Sequence, residues 1–195
     1  MEIKEGDQLI QAKISNGEDS IIMATKEGKS IRFLENQVRP TGRRTKGVRG
    51  IMLADSDEVI GMLIAKREGS VLVASENGYG KRSALDEYRI QSRGGKGVYT
   101  MKKTHKTGKL ISILEAVDND DLMIITTQGV MIRQPVENIR TIGRNTQGVR
   151  LLRLDDGATI SSVTKVIKDE VDAVDEDDNL NTDEEQETPP PTPPQ

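Results

Sequence analysis

The sequence predicts an all-β fold built from propeller-like repeats of four-stranded units. Three observations support this prediction. The chain repeats itself with a period of about 50 residues. Short runs rich in Val, Ile and Thr alternate with turn residues, and no segment keeps apolar residues at helical spacing. A unit of this length with about four strands has the size of one propeller blade, so the 195-residue chain is expected to be a partial array of blades.

The repeat is anchored by three glycines, Gly28, Gly78 and Gly129, which stand 50 and 51 residues apart. An apolar run begins seven residues before each glycine, and a Gly-Val pair follows nineteen residues after it. A second apolar run then closes each unit. The three homologous units span about residues 15–66, 67–117 and 118–168.

Each of the three glycines is predicted to lie in a hairpin turn. It follows Glu, Asn or Gln and separates two apolar runs, and a hairpin turn requires the positive φ that glycine adopts without steric cost. One segment falls outside the three units. Residues 6–14 resemble the closing run of a unit whose front half is not present, so we expect there an orphan strand of an upstream unit.

The charge is divided unevenly along the chain. Residues 169–195 contain 11 acidic residues, no Lys or Arg and five of the seven prolines, so residues 1–168 carry a net charge of +7. The tail has almost no large apolar side chains and cannot bury enough surface to offset its ordering entropy. We therefore expect a folded part over residues 1–168 and a disordered acidic tail over residues 169–195.

The composition excludes several classes of function. The chain has no cysteine and one histidine, His105, which excludes thiolate and multi-histidine metal centres and a cysteine nucleophile. A Ser-His-Asp triad is disfavoured because the lysines around His105 oppose its protonation as a base. No apolar run approaches the about 18 residues of a membrane span. We expect a cytoplasmic protein with no metal, no cofactor, no membrane association and no catalytic site of its own.

Arginines recur at fixed positions in all three units. They follow the turn glycine by four, eleven and fifteen residues. The arginines four residues on alternate with apolar neighbours in a predicted strand, so they should point away from the core. Stacked units would then carry a curved belt of cations, which suits a bent and regularly charged polymer such as duplex DNA. The candidate DNA-binding residues are Arg32, Arg39, Arg43, Arg44, Lys46, Lys81, Arg82, Arg89, Arg93, Lys96, Arg133, Arg140 and Arg144.

One glycine-rich loop stands out among the basic segments. It consists of Gln91, Ser92, Arg93, Gly94, Gly95, Lys96 and Gly97. The missing β-carbons would let backbone amides approach phosphate oxygens, although a turn-forming role for these glycines is equally open. Phosphate contacts carry little base information. Only four aromatic residues are present, too few for the stacking platforms of single-strand binders, which favours duplex DNA.

The residues resemble a known family, the C-terminal domain of the DNA gyrase A subunit. The resemblance covers roughly residues 6–168 and rests on residues 45–51, 76–82 and 142–149; an acidic tail is also typical of the family. It implies a β-pinwheel, a ring of six four-stranded blades that exchange strands, with DNA wrapped around a basic perimeter. This chain would cover the last three blades. Residues 91–97 resemble the family's signature box except that Ser92 replaces a cation, so this loop is expected to be an auxiliary contact.

The resemblance also implies partners and an activity. The partners would be duplex DNA, the rest of the gyrase A subunit, and the gyrase B subunit in an A2B2 holoenzyme that supercoils DNA negatively with ATP. The cleavage tyrosine and the ATPase lie outside this chain, so it should not be an enzyme on its own. Three alternatives stay open: the equivalent domain of topoisomerase IV, a free-standing nucleoid protein, and a protein-interaction propeller whose arginines only keep it soluble. The acidic tail either competes with DNA for the cations or only solvates the chain.

Overall fold

The computed structural model describes residues 2, 3 and 5–168. The acidic tail predicted to be disordered lies outside these residues. The described part contains no α-helix and three 3-10 helices, Glu35–Gln37, Leu85–Glu87 and Val136–Asn138. Its strands are β1 (Ser20–Thr25), β2 (Lys29–Leu34), β3 (Val59–Ala65), β4 (Ser70–Ser75), β5 (Tyr79–Ala84), β6 (Val98–Tyr99), β7 (Leu110–Ala116), β8 (Asp121–Thr126), β9 (Met131–Pro135), β10 (Val149–Arg150) and β11 (Ile160–Val166).

The strands form three antiparallel sheets, one for each sequence repeat. The first two strands of each unit make a hairpin whose turn contains the anchoring glycine. The φ angles of Gly28, Gly78 and Gly129 are 88°, 81° and 82°, which only glycine adopts without strain. The third strand of the unit, β3, β7 or β11, then pairs with the first strand of its own hairpin. The predicted all-β, propeller-like fold is confirmed.

The fourth strand of a sheet comes from the following unit. In the first sheet β6 pairs with β2, with Tyr99 opposite Lys29. In the second sheet β10 pairs with β5, with Arg150 opposite Tyr79. The third sheet has the order β11-β8-β9, because no further unit follows within the described residues. Neighbouring blades are therefore joined by strand exchange, as the family resemblance implied.

The hydrophobic core lies between the sheets. Strand β4, at the centre of the second sheet, is buried on both faces. Val71 and Val73 pack with residues of the first and second units, whereas Leu72 and Ala74 pack with residues of the third. Strand β7 also contacts both β3 and β11. The middle blade thus supplies one wall of each inter-blade core, which fixes the three blades relative to one another.

The predicted orphan strand over residues 6–14 is wrong. These residues form no strand in the structure. Leu9 and Ile10 are 62% and 51% exposed, and the segment contacts the first sheet through Gln11, whose Oε1 accepts a hydrogen bond from the Met62 amide at 2.7 Å. A single side-chain contact does not replace a backbone ladder. The apolar pattern of this segment has no sheet to complete in the described chain.

The glycines that open the exchanged strands show how closely neighbouring blades approach. A β-carbon on Gly97 would overlap the Ser30 carbonyl oxygen, and φ of Gly97 is +69°. The equivalent Gly47 has no atom within 4 Å of such a β-carbon and no positive φ. We expect Gly97→Ala to lower the free energy of unfolding by more than about 1 kcal/mol, and Gly47→Ala to change it little. Urea unfolding followed by circular dichroism checks both; equal losses would contradict the close approach.

Candidate nucleic-acid interface

The arginines four residues after the turn glycine connect each blade to the next one. Arg32 donates from Nη1 to the carbonyl oxygens of Leu85 at 2.9 Å and Tyr88 at 3.3 Å. Arg82 donates from Nε to the Ile139 carbonyl oxygen at 2.7 Å and pairs with Asp118. In both cases the acceptor carbonyls belong to the following unit.

The prediction that these arginines form an outward belt is therefore wrong for Arg32 and Arg82. Arg82 is only 7% exposed and Arg32 is half-buried. Strand alternation does turn them away from the core of their own sheet, but in a stacked array that side faces the next blade. Arg133, in the last unit, has no following blade in the described residues; its side chain is 51% exposed and pairs with Asp121 at 2.6 Å.

The arginines fifteen residues after the turn glycine connect each blade to the preceding one. Arg93 donates from Nε to the Gln37 carbonyl oxygen at 3.1 Å and from Nη1 to that of Arg49. Arg144 repeats this geometry one unit later. Its Nε donates to the Glu87 carbonyl oxygen at 3.2 Å and its Nη1 to that of Tyr99. Both side chains are half-buried, whereas Arg43 in the first unit is exposed.

The glycine-rich loop 91–97 forms backbone hydrogen bonds with the first blade. The Gly94 amide donates to the Gly50 carbonyl oxygen at 2.7 Å, and the Gly95 carbonyl oxygen accepts from the Met52 amide at 2.8 Å. The Gln91 amide donates to the Arg32 carbonyl oxygen at 2.8 Å. Protein acceptors thus occupy the amides of Gln91 and Gly94, which are not available to phosphate oxygens. At these two positions the loop forms a turn and joins the blades. Ser92 and Lys96 are exposed and reach solvent.

Lys81 is the most buried of the candidate cations. It is 0% exposed, and its Nζ donates to the carbonyl oxygens of Gly143 and Arg144. Burial lowers the pKa of Lys81 to about 8, because a charged ammonium loses hydration in the protein interior. The prediction of a DNA contact for Lys81 is wrong. The side chain instead holds the loop of the third unit against the second blade.

A smaller set of the predicted cations is exposed, and we call these the outer cations. The arginines eleven residues after the turn glycine belong to it in all three units. In each unit a 3-10 helix is followed by one buried or half-buried residue, and this arginine comes next. Parallel bridges from Ile90 to Arg32 and from Thr141 to Arg82 fix the backbone next to Arg89 and Arg140. The outer cations are Arg39, Arg43, Arg44, Lys46, Arg89, Lys96 and Arg140; Arg133 is also exposed but is paired with Asp121 and is not counted among them.

The structure adds a group of cations that sequence reasoning missed. Lys29 Nζ lies 5.8 Å from the centroid of the Tyr99 ring, opposite it on the exchanged strand. Arg150 lies 5.7 Å from the centroid of the Tyr79 ring and donates to its hydroxyl at 3.1 Å, which lowers the pKa of Tyr79. Lys106 lies 5.4 Å from the same ring.

These pairs could not be found from sequence spacing alone. The members of the Lys29–Tyr99 and Arg150–Tyr79 pairs are about 70 residues apart, and only the register of the exchanged strands brings them together. In the first sheet the cation lies on the hairpin strand and the tyrosine on the exchanged strand, and in the second sheet these positions are reversed. A cation therefore stands beside an aromatic ring in both sheets, an exposed ring at Tyr99 and a buried one at Tyr79.

The described residues offer neither a metal cluster nor a membrane-spanning helix. Within residues 2, 3 and 5–168, no group of three His, Asp or Glu side chains is placed to hold a metal ion. No helix in that part of the chain is long and apolar enough to cross a membrane.

A family model described as the DNA gyrase C-terminal domain, beta-propeller, matches residues 19–66, 69–115 and 120–167. The chain belongs to this family. It is 42% identical to the DNA gyrase A subunit of Staphylococcus aureus over 177 residues, which are 90% of this chain and 20% of that protein. The chain therefore spans about a fifth of the length of the curated relatives it matches. The resemblance stated from the sequence is confirmed.

Solved structures share the fold. The chain is similar to a DNA gyrase A C-terminal domain with a TM-score of 0.79 and 28% identity, over 86% of this chain and 57% of that one. It also resembles the C-terminal domain of DNA topoisomerase IV with a TM-score of 0.81 and 23% identity, over 92% of this chain and 57% of that one. The second likeness concerns the fold alone.

The burial of the repeated arginines predicts unequal effects of replacing them. Arg82→Ala would leave the Ile139 carbonyl oxygen without its donor and a space between two blades. We expect it to lower the free energy of unfolding by about 2–4 kcal/mol. Arg133→Ala removes a guanidinium that is half exposed, and its buried partner Asp121 keeps Lys168 at 3.2 Å, so the loss should be smaller, about 1 kcal/mol. Urea unfolding of both variants is the measurement, and similar losses would show that Arg82 does not join the blades.

The lowered pKa of Lys81 predicts a specific pH dependence. Between pH about 8 and about 10.5 the unfolded chain binds the proton that the folded chain has released, so the free energy of unfolding rises with pH. We expect a gain on the order of 3 kcal/mol across that interval, which the Lys81→Met variant should lack. Other titrating groups are common to both proteins, so the difference between their curves isolates Lys81. Parallel curves would contradict the lowered pKa.

Proposed function

We propose that this chain binds duplex DNA without sequence specificity and wraps it, as part of a DNA gyrase A subunit. The observation that carries the proposal is the exposure of Arg39, Arg89 and Arg140 at the same position of three successive units. The blades that present them are joined by exchanged strands and by arginine-to-carbonyl bonds. Cations held at the same position of each unit suit a regularly charged polymer such as a duplex.

Rigidity between the blades supports wrapping in addition to binding. Bending a duplex over 20–30 base pairs costs on the order of 1–6 kcal/mol, which contacts available only on the curved path must offset. Such contacts exert that effect only if the cations keep their relative positions. The buried side chains of Lys81 and Arg82 maintain those positions. We therefore propose that the buried cations maintain the shape of the surface and that the outer cations contact the DNA.

The holoenzyme would use the wrap for negative supercoiling. The other parts of the gyrase A and B subunits would supply DNA cleavage and ATP hydrolysis, and a handed wrap would present a neighbouring DNA segment to the cleavage gate. In this proposal the chain supplies a surface of fixed shape and performs no chemical step itself. It acts in the cytoplasm on the nucleoid. The sequence identity of 42% to a gyrase A subunit favours gyrase over topoisomerase IV.

The salt dependence of duplex binding distinguishes a surface that binds DNA from one whose charges only keep the protein soluble. For duplex DNA, log K should fall linearly with log salt by about 0.9 for each phosphate neutralised. We expect the double variant Arg89→Ala/Arg140→Ala to weaken binding and to make that slope shallower by about 1.8. The exposed residues Lys13 and Lys66 lie outside the outer cations, so Lys13→Ala/Lys66→Ala is the matched control.

The measurement is fluorescence anisotropy of a labelled duplex at several salt concentrations. A flat salt dependence of the unmodified chain would support the protein-interaction propeller instead. Equal losses in the two double variants would mean that net charge alone, and not the outer cations, binds the duplex. Ligation of a nicked circle in the presence of the chain reports wrapping separately, because a wrapped duplex is left with an altered linking number after the protein is removed.

A further inference from the structure

The connections that lead to the third strand of each unit lie beside the hairpin turns. We call them the crossing loops, residues 52–58, 102–109 and 153–159. In all three units the amide directly after the first strand donates to the carbonyl oxygen of the last loop residue. These bonds join Lys26 to Glu58 at 2.8 Å, Glu76 to Lys109 at 2.9 Å and Thr127 to Thr159 at 2.9 Å.

The crossing loops also touch the turns of the preceding blades, so turns and loops form one surface, which we call the turn face. A β-carbon on Gly28 would stand 2.5 Å from the carbonyl oxygen of Met101, just before the second crossing loop. One on Gly78 would stand 2.5 Å from that of Leu152, just before the third. The three loops therefore lie on the same side of the assembled blades.

The charge of the crossing loops differs from unit to unit. Residues 102–109 contain four lysines and His105 and no acidic residue. Residues 52–58 contain three acidic residues and no cation, and residues 153–159 contain two acidic residues and one arginine. The outer cations recur in the repeat, whereas this basic loop occurs in the second unit alone. Its five basic residues are all exposed: Lys102, Lys103, His105, Lys106 and Lys109.

The basic loop has a well-fixed backbone. The Thr104 amide donates to Thr107 Oγ1 at 2.9 Å, and the Thr107 amide donates to Thr104 Oγ1 at 3.2 Å. Asn77, in the hairpin turn of the same unit, donates from Nδ2 to the carbonyl oxygens of His105 and Lys106, both at 3.3 Å. The lysines of this loop therefore project from a backbone that needs little further ordering to bind a ligand.

A cleft of about 920 Å³ opens beside the basic loop and reaches the neighbourhood of the outer cations. Tyr99 and Asn145 line it together with Lys102. Tyr99 is 51% exposed and follows the outer cation Lys96 by three residues. The Lys102 amide donates to the Thr146 carbonyl oxygen at 2.9 Å, which holds the basic loop against the loop that carries Asn145.

The positive charge of the cleft is only partly compensated. Of the two carboxylates that line it, Glu27 accepts from Lys103 Nζ at 2.6 Å, and Glu76 accepts from the Lys109 amide at 2.7 Å. In the part of the chain that the structure describes, neither Lys102 nor Lys109 forms an ion pair. A fixed group of cations without counter-charges attracts an anion.

We propose that a duplex bound to the outer cations is displaced towards the turn face at the second unit, where its phosphates contact Lys102, His105 and Lys109. This inference rests on the proposed function and adds a contact outside the repeated cations. Near the other crossing loops a phosphate would meet exposed carboxylates such as Asp55 and Asp155, and like charges closer than the Debye length of about 8 Å repel. The duplex is thus attracted to the turn face at one unit and repelled from it at the two others.

The position of the cleft favours DNA over an acidic protein segment as the anion. Lys96, Tyr99 and Lys102 follow one another at intervals of three residues, so a phosphate chain that contacts the outer cations has a continuous route to the basic loop. Tyrosine hydroxyls and lysines are both common phosphate ligands in protein–DNA complexes. The basic loop, which occurs once, would give the path of the duplex a feature that the repeated cations cannot supply.

Cleavage of the duplex from single attachment points tests this path. The chain has no cysteine, so an iron chelate that cuts nearby DNA can be attached at one introduced thiol. We expect His105→Cys to cut a bound duplex as efficiently as Ser92→Cys, which lies in the glycine-rich loop among the outer cations. Asp55→Cys and Asp155→Cys, exposed in the other two crossing loops, are the matched controls and should cut much less.

The pattern of cutting separates this proposal from the proposed function. Cutting by Ser92→Cys with no more from His105→Cys than from the two controls would overturn the displaced path and leave the basic loop open to an acidic protein segment. Equal cutting from all three crossing loops would also overturn it, because the acidic loops would then not repel the duplex. A chain that binds no duplex at all would overturn the proposed function instead.

The salt dependence of binding tests the lysines themselves. We expect Lys102→Ala/Lys109→Ala to make the slope of log K against log salt shallower by about 1.8, because two phosphates lose their partners. Thermal melting should be unchanged, since both side chains are exposed and unpaired within the described residues. A slope that stays the same would overturn the contact.

Two other double variants give that result its meaning. A shallower slope in Arg89→Ala/Arg140→Ala alone would leave the proposed function intact and remove the basic loop from it. An equal change in the control Lys13→Ala/Lys66→Ala would attribute the effect to net charge, which would also overturn the proposal.

The unmodified chain carries its own probe of the cleft. His105 is its only histidine, so one set of imidazole signals appears in the proton NMR spectrum. We expect these signals to shift as duplex is added and to saturate together with the fluorescence anisotropy. Signals that stay in place while the anisotropy shows full binding would mean that the duplex does not reach the basic loop.

Discussion

The exchange of a two-residue strand between successive units is the constraint on which the rest of this structure depends. Strands β6 and β10 are short, yet each completes the sheet of the preceding unit. Such a short ladder cannot hold two blades together by its own hydrogen bonds, because each contributes only about 0.5–1.5 kcal/mol net. The connection therefore needs further contacts, and the sequence repeats supply them at fixed positions around the exchanged strand.

Those contacts run in both directions between blades. The arginines of β2 and β5 donate forward to carbonyl oxygens of the next unit, and Arg93 and Arg144 donate backward to carbonyl oxygens of the preceding one. Except for that of Tyr99 in β6, these carbonyls lie outside the strand ladders, and a carbonyl that loses water without gaining a donor is costly. Arginine suits the task because one planar group offers several donors in fixed directions. A repeated arginine is thus the chemical consequence of a repeated loop that needs donors.

The sequence was sufficient for the fold class, the hairpins and the repeat, because all three depend on local patterns. Turn glycines, apolar runs and their spacing are properties of one unit, and one unit is about 50 residues long. The roles of Lys81, Arg82 and Arg93 depend instead on residues 36 to 63 positions away. Alternation along a strand shows which side chains leave their own sheet, but it does not show whether solvent or the next blade lies on that side. For the same reason the Lys29–Tyr99 and Arg150–Tyr79 pairs had no signal in the sequence.

The division between buried and outer cations also bears on how the charge of this chain would act on DNA in the proposed function. Residues 1–168 carry a net charge of +7, and every cation adds to the long-range field that attracts a duplex. Release of counterions requires direct neutralisation of phosphates, however, which Lys81 and Arg82 cannot reach from their buried positions. In the proposed function, attraction from a distance would follow the net charge of residues 1–168, whereas the salt dependence of binding would follow the exposed cations that neutralise phosphates. Because the buried cations fix the positions of the others, the residues that shape the surface are separate from the residues that we propose to bind DNA.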